Sequence, residues 1–226
     1  DLRRHLGVGM DDLDRDLFGW MDGEIALAAF PATDTPFQAL SPQLQMGIGL
    51  LFQTSDRPTA TNTLNTADTL FTTLGFGVRS ETVNDHSVTS WDLWSGWDSS
   101  PDAPRQSFLS HGWVSEDTIA LVSGPGTMAR VMNPSPHDPL LNFPVFQNSV
   151  ASFPDPNNGY FYVNAGATLS LIYQVFDLHT VEEFQPFKPF LASVRTLSAT
   201  SSQTSDFIEF NAQLGLAPAQ RTSTTP

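Results

Sequence analysis

Apolar residues recur along this chain at two spacings, and the spacing separates strands from helices. Glu24 to Phe30 and Met46 to Gln53 are nearly unbroken apolar runs. They predict two strands, the second of them central in a sheet. Tyr160 to Asn164 predicts another. Ala60, Leu64, Ala67, Phe71 and Leu74 instead return every three or four residues, which predicts a helix. Asp56 is its expected N-cap, Pro58 fits its first turn, and Gly75 and Gly77 stop it. Leu13, Leu17 and Trp20 mark one face of a shorter helix over Asp11 to Trp20, and Gly23 supplies the turn into the first strand.

Val78 to Val83 and Ser87 to Trp94 predict a hairpin about Asn84-Asp85-His86. Ser107 to Val114 and Thr118 to Ser123 predict a second, about Ser115-Glu116-Asp117. Short helices are expected over Thr127 to Met132, Val145 to Ser152 and Thr168 to Phe176. Glu182 to Ala192 contains Pro186 and Pro189, so it is at best a broken helix. Val194 to Ser201 and Phe207 to Leu214 close the pattern as an antiparallel pair. Pro31 to Pro42, Gly96 to Arg105 and Asn133 to Pro144 are loops.

Hairpins and helices thus come in clusters, without a βα alternation. The expected class is α+β, an antiparallel β-sheet with helices packed mainly on one face. Residues 1–216 are expected to form one α+β domain, any division into subdomains falling near 133–158, with 217–226 a disordered tail. A strand–helix–hairpin order recurs over Met46 to Trp94 and Tyr160 to Leu214. It hints at a weak internal duplication that no repeated motif supports.

Composition narrows the function classes. The 226 residues are 40% hydrophobic and only 15% charged, with a net charge of −14. That is a globular composition whose surface relies on neutral polar residues. The negative charge repels phosphate backbones and anionic lipid, so nucleic acid is excluded as a partner class. No apolar run is long enough to span a bilayer, so no membrane insertion by this stretch is expected. The chain has no cysteine, which removes disulfides and thiolate sites and suits an exported protein.

The motifs that suggest chemistry mostly fail on spacing. Asp12, Asp14 and Asp16 have the alternation of a calcium loop, but the sixth position is Leu17 and the twelfth is Gly23. These acids fit a helix N-terminus, and no metal is expected. Ser123 to Ala129 matches G-x-G-x-x-A through Gly124, Gly126 and Ala129. The Pro-rich loop that follows offers no parallel strand with its acidic residue, so no dinucleotide cofactor is expected. The hydrolase elbow around Ser123 fails because Leu121 stands where glycine is required. His5, His86, His111, His137 and His179 are scattered and have no identifiable catalytic partner. No catalytic residue is assigned.

One local cluster remains. Trp91, Trp94 and Trp97 stand beside Asp92 and Asp98, and indole faces next to carboxylates can bind a sugar or another flat ligand. Strand alternation puts Trp91 and Trp94 on opposite faces, so one of them belongs to the core. Trp94, Trp97, Asp92 and Asp98 are therefore the candidate ligand or partner residues.

Four stretches, "LGVGMDDLDRDLFGWMDGEIALAAF", "IGLLFQTSDRPTATNTLNTADTLF", "HGWVSEDTIALVSGPGTMARVM" and "NNGYFYVNAGATLSLI", resemble a family of uncharacterised, mostly cyanobacterial proteins catalogued as a domain of unknown function. The resemblance implies an extracytoplasmic setting in periplasm, cell envelope or thylakoid lumen, with an anchor in the full-length protein. It carries no catalytic residues. The expectation is a non-enzymatic binding module for a protein or envelope component. The alternatives are a glycan or small-ligand domain built on Trp94 and Trp97, and a hydrolase whose carboxylates, among them Asp22, Glu24, Glu116 and Asp117, converge only on folding.

Overall fold

A computed structural model describes residues 19–93, 107–133, 140–176, 185–186 and 188–217. The chain divides into two compact units, Asp1–Pro134 and Ser135–Pro226. Both are α+β, with every strand pairing antiparallel.

The first unit is a six-stranded sheet. Its strands are β1 (Ile25–Pro31), β2 (Met46–Gln53), β3 (Gly77–Val83), β4 (His86–Asp92), β5 (Ser107–Trp113) and β6 (Thr118–Val122). They lie in the order β1-β2-β6-β5-β4-β3, so the apolar run at Met46 is an interior strand, as its composition requires. The hairpin between β3 and β4 turns through Asn84 and Asp85, at φ 48° and 66°. Asparagine and aspartate are the residues that best tolerate the two left-handed positions of such a turn. A short helix, α1 (Phe37–Leu40), stands in the loop after β1. Helix α2 (Arg57–Thr73) starts as expected, with Asp56 accepting from the Thr59 amide at 3.0 Å.

Cross-strand register defines the two faces of this sheet. Leu51, Ala120, Gly112 and Val88 oppose one another in turn. On that face Met128, from helix α3 (Pro125–Met132), is fully buried against Val88, Ala120 and Val122. On the opposite face α2 covers Ile119 with Ala60 and stacks Phe71 on Trp91, ring centroids 4.1 Å apart. The helices take opposite faces because β2 and β6 are apolar on both sides. Trp20 joins the second cluster, edge-on to Phe52.

The second unit is a three-stranded sheet, β7 (Tyr160–Asn164), β8 (Val194–Gln203) and β9 (Ile208–Leu216), in that order. Its helices are α4 (Pro144–Val150), α5 (Ala165–Phe176) and α6 (Lys188–Ser193). Here the usual polarity is reversed. The buried face of β8 carries Thr196, Ser198, Thr200 and Ser202. Two of these hydroxyls are bonded locally: Ser198 donates to the Ser149 carbonyl of α4 at 2.8 Å, and Thr200 to that of Gly159 at 2.6 Å. Phe146 of α4 packs edge-on against Tyr162 of β7. The other face, with Phe161, Leu197, Phe210 and Leu214, is exposed.

Truncating Met128 should leave a cavity, because Val88 and Val122 are held on strands and cannot collapse into the space. Met128→Ala should destabilise the first unit by about 2–5 kcal/mol, read from urea unfolding monitored by tryptophan fluorescence.

Candidate functional site

The six-stranded sheet positions four groups of side chains on which function could rest. The first lies where β2 ends. Gln53 donates to Asp117 at 2.8 Å and lies 3.4 Å from the Glu24 amide through its own carbonyl. Asp22 accepts from both the amide and the hydroxyl of Ser55. Gly23 is required here, because a Cβ would come within 2.8 Å of the Gln53 Cβ. Arg57 stacks on Trp113 at 4.1 Å and donates to the Glu116 carbonyl at 2.8 Å.

Folding therefore gathers Asp22, Glu24, Glu116 and Asp117, the four acids weighed from sequence, around one strand end. The hydrogen bonds of Asp22 and Asp117 fit support better than catalysis. The Gln53, Ser115 and Thr118 donors hold the Asp117 carboxyl down to about 2. Ser55 lowers Asp22, and Thr59 lowers Asp56. Acids held this low stay ionised at neutral pH and are poor proton donors. Among the described residues no group of three metal-ligating side chains converges. Asp12, Asp14 and Asp16, with Leu13 and Leu17, lie outside the described residues.

The second group surrounds Asp92, the one sequence candidate of the tryptophan cluster that is described. It is 4% exposed. Ser107 donates to it at 2.5 Å, and Arg79 Nε stands 3.6 Å away. Arg79 also donates to Glu81 at 3.0 Å and to Ser107 at 3.2 Å. Ser90 gives its proton to Glu81, so Ser110, 2.8 Å from Ser90, must donate to Ser90 in turn. Both serines are fully buried and meet no substrate. Among the described residues, Asp92 thus serves the β3–β4–β5 seam. Trp94, Trp97 and Asp98 lie outside the described residues.

The third group was not assembled from sequence. Asp68, on α2, accepts from Trp91 Nε1 at 2.7 Å, and its same oxygen lies 2.8 Å from His111 Nε2. Because a carboxylate only accepts, the proton sits on Nε2. The pair resembles half of a hydrolytic triad, yet among the described residues no hydroxyl is bonded to His111. Its 43-residue separation carries no local signal in the sequence.

The glycine pattern at Gly124 has a packing explanation. Gly124 adopts φ 80°, and a Cβ on Gly126 would lie 2.0 Å from the Thr33 carbonyl. The glycines let α3 start against the loop after β1.

The fourth group is an open apolar groove of about 310 Å³. Ile48, Leu50, Leu121 and Leu109 form its floor, with Phe37 and Phe108 among its walls. Its polar group, Ser123, is engaged with the Ile48 amide at 2.9 Å and with Thr127. Leu27 opposes Leu50 across β1 and β2, is 72% exposed, and carries the apolar floor to the sheet edge.

A family model described as "Protein of unknown function (DUF3352)" matches residues 4–216. No curated protein and no solved structure matches the chain.

Asp68→Ala should cost about 2 kcal/mol in urea unfolding, because it strands two largely buried N–H groups with only partial access to water. The depressed carboxyls give the acid limb its sign. Their contribution is complete above the unfolded value near 4 and is lost as pH falls below it, for Asp117 towards about 2, so the melting temperature should drop on acidification. Asp117→Asn should make the drop shallower.

Proposed function

Since the chain belongs to the DUF3352 family, a family of unknown function, we propose that it is a non-enzymatic binding module that docks a partner through the apolar groove of its first unit. The observation that carries this is the continuous row Leu27, Leu50 and Leu121, directly opposed across three strands and open at the sheet edge. An exposed contiguous apolar surface of this kind marks a recognition site. A partner protein or envelope component that presents an aliphatic or aromatic ridge would fill it.

The hydrogen-bonded acids support the same view. Asp22 and Asp117 are held ionised by serine, threonine and glutamine donors, and Ser90 and Ser110 are sealed in the sheet. These arrangements favour binding over hydrolysis. Absence of cysteine and the acidic balance are compatible with an extracytoplasmic location, which belongs to this proposal.

The test uses the neutral apolar dye Nile red, in a Phe210→Lys background so that the exposed face of the second unit contributes less. The folded protein should raise the dye's fluorescence saturably. Leu27→Lys and Leu50→Lys should each cut that signal several-fold with the far-UV circular dichroism unchanged. Equal dye binding by Leu27→Lys would overturn the assignment.

A further inference from the structure

Among the described residues, β9 is an edge strand of the second unit's sheet. Among the described residues the sheets have four edge strands, β1, β3, β7 and β9. Natural edges are blunted by proline, by charge or by shortness. β1 ends in Pro31, β3 carries Arg79 and Glu81, and β7 has only five residues. β9 has no proline, is not short, and carries little charge. It runs nine residues, "IEFNAQLGL", with Glu209 as its single charge.

That sequence is a chemical palindrome about Ala212. In an antiparallel pair of two β9 strands centred there, Ile208 opposes Leu216, Phe210 opposes Leu214, and Asn211 opposes Gln213. Glu209 meets Gly215, so no like charges face each other. The register of β8 with β9 puts Ile208, Phe210, Ala212 and Leu214 on one face. Phe210 is 80% exposed, and Ile208, Leu214 and Leu216 are each more than half exposed. Apolar pairs on one face and amide pairs on the other are what a two-fold, self-complementary edge requires.

We infer that β9 is a dimerisation edge, and that its partner is β9 of a second copy of this chain. The two three-stranded sheets join into one of six strands through the backbone groups of β9 that, among the described residues, have no strand beside them. Each copy carries a net charge of −14, so the pairing works against long-range repulsion and should tighten as salt is raised. This inference is independent of the groove.

The chain's lack of cysteine makes the register directly testable. Ala212→Cys places two thiols directly opposite at the two-fold, about 4.5–5.5 Å apart between Cα atoms and within disulfide range. Mild oxidation should convert it to a covalent dimer. Asn211→Cys alone should not cross-link, because residue 211 faces residue 213 of the other copy. A mixture of Asn211→Cys and Gln213→Cys chains should give the mixed dimer. Sedimentation at roughly 10–200 µM, the range for a small interface, should show dimer for the unmodified chain. Phe210→Lys with Leu214→Lys should abolish it by setting lysine against lysine. Phe210→Lys with Leu214→Glu should restore it through opposite charges. A chain that stays monomeric throughout that range, or that cross-links as readily through position 211 as through 212, overturns the inference.

Discussion

One carboxylate ties the first unit together. Asp68 sits midway along α2 and takes the indole N–H of Trp91 and the imidazole N–H of His111 on a single oxygen. Trp91 belongs to β4 and His111 to β5, so α2 is fixed to two strands at one point. Apolar packing does the rest: Phe71 can stack on Trp91 only if the helix has the correct rotation, and the hydrogen bonds to Asp68 set that rotation. Hydrophobic contact is non-directional and would tolerate a helix rolled by part of a turn. The buried polar contact removes that freedom.

A similar division of labour holds at the end of β2. Gln53, Ser55 and Asp56 follow one another closely, and each fixes a different piece of chain. Gln53 holds Glu24 and Asp117, Ser55 holds Asp22, and Asp56 caps α2. The concentration of acids there follows from the number of backbone and hydroxyl donors to be satisfied. The groove lies on the same sheet face as α2, where the floor of β2 and β6 continues past the helix towards β1.

Strands and helices were largely legible because their apolar spacing is local. Met46–Gln53 and Tyr160–Asn164 fall on the residues that the pattern marked, and Asp56 caps α2 as its position suggests. What could not be seen was which residues meet. The Asp68–His111 pair and the Gln53–Asp117 bond join residues 43 and 64 positions apart. No spacing rule connects them. Asp92 shows the same limit, since its neighbour Trp91 marked an aromatic cluster while its fate was decided by Arg79 and Ser107 on other strands. The groove was equally hidden, because Leu27, Leu50 and Leu121 become neighbours only through strand order.

The hydroxyl-lined face of β8 has a thermodynamic consequence. The heat capacity of unfolding grows with the apolar surface newly exposed and is reduced by polar exposure. In the second unit the buried face offers Thr196, Ser198, Thr200 and Ser202, while Phe161, Phe210 and Leu214 already face water in the folded state. The buried hydroxyls of β8 therefore lower the heat-capacity change on unfolding relative to an apolar face of the same size. The first unit, closed around Met128, Val88 and Ile119, has the steeper curvature of an apolar core. On cooling, the two halves of one chain respond differently, since the hydrophobic contribution that weakens in the cold belongs mainly to the first.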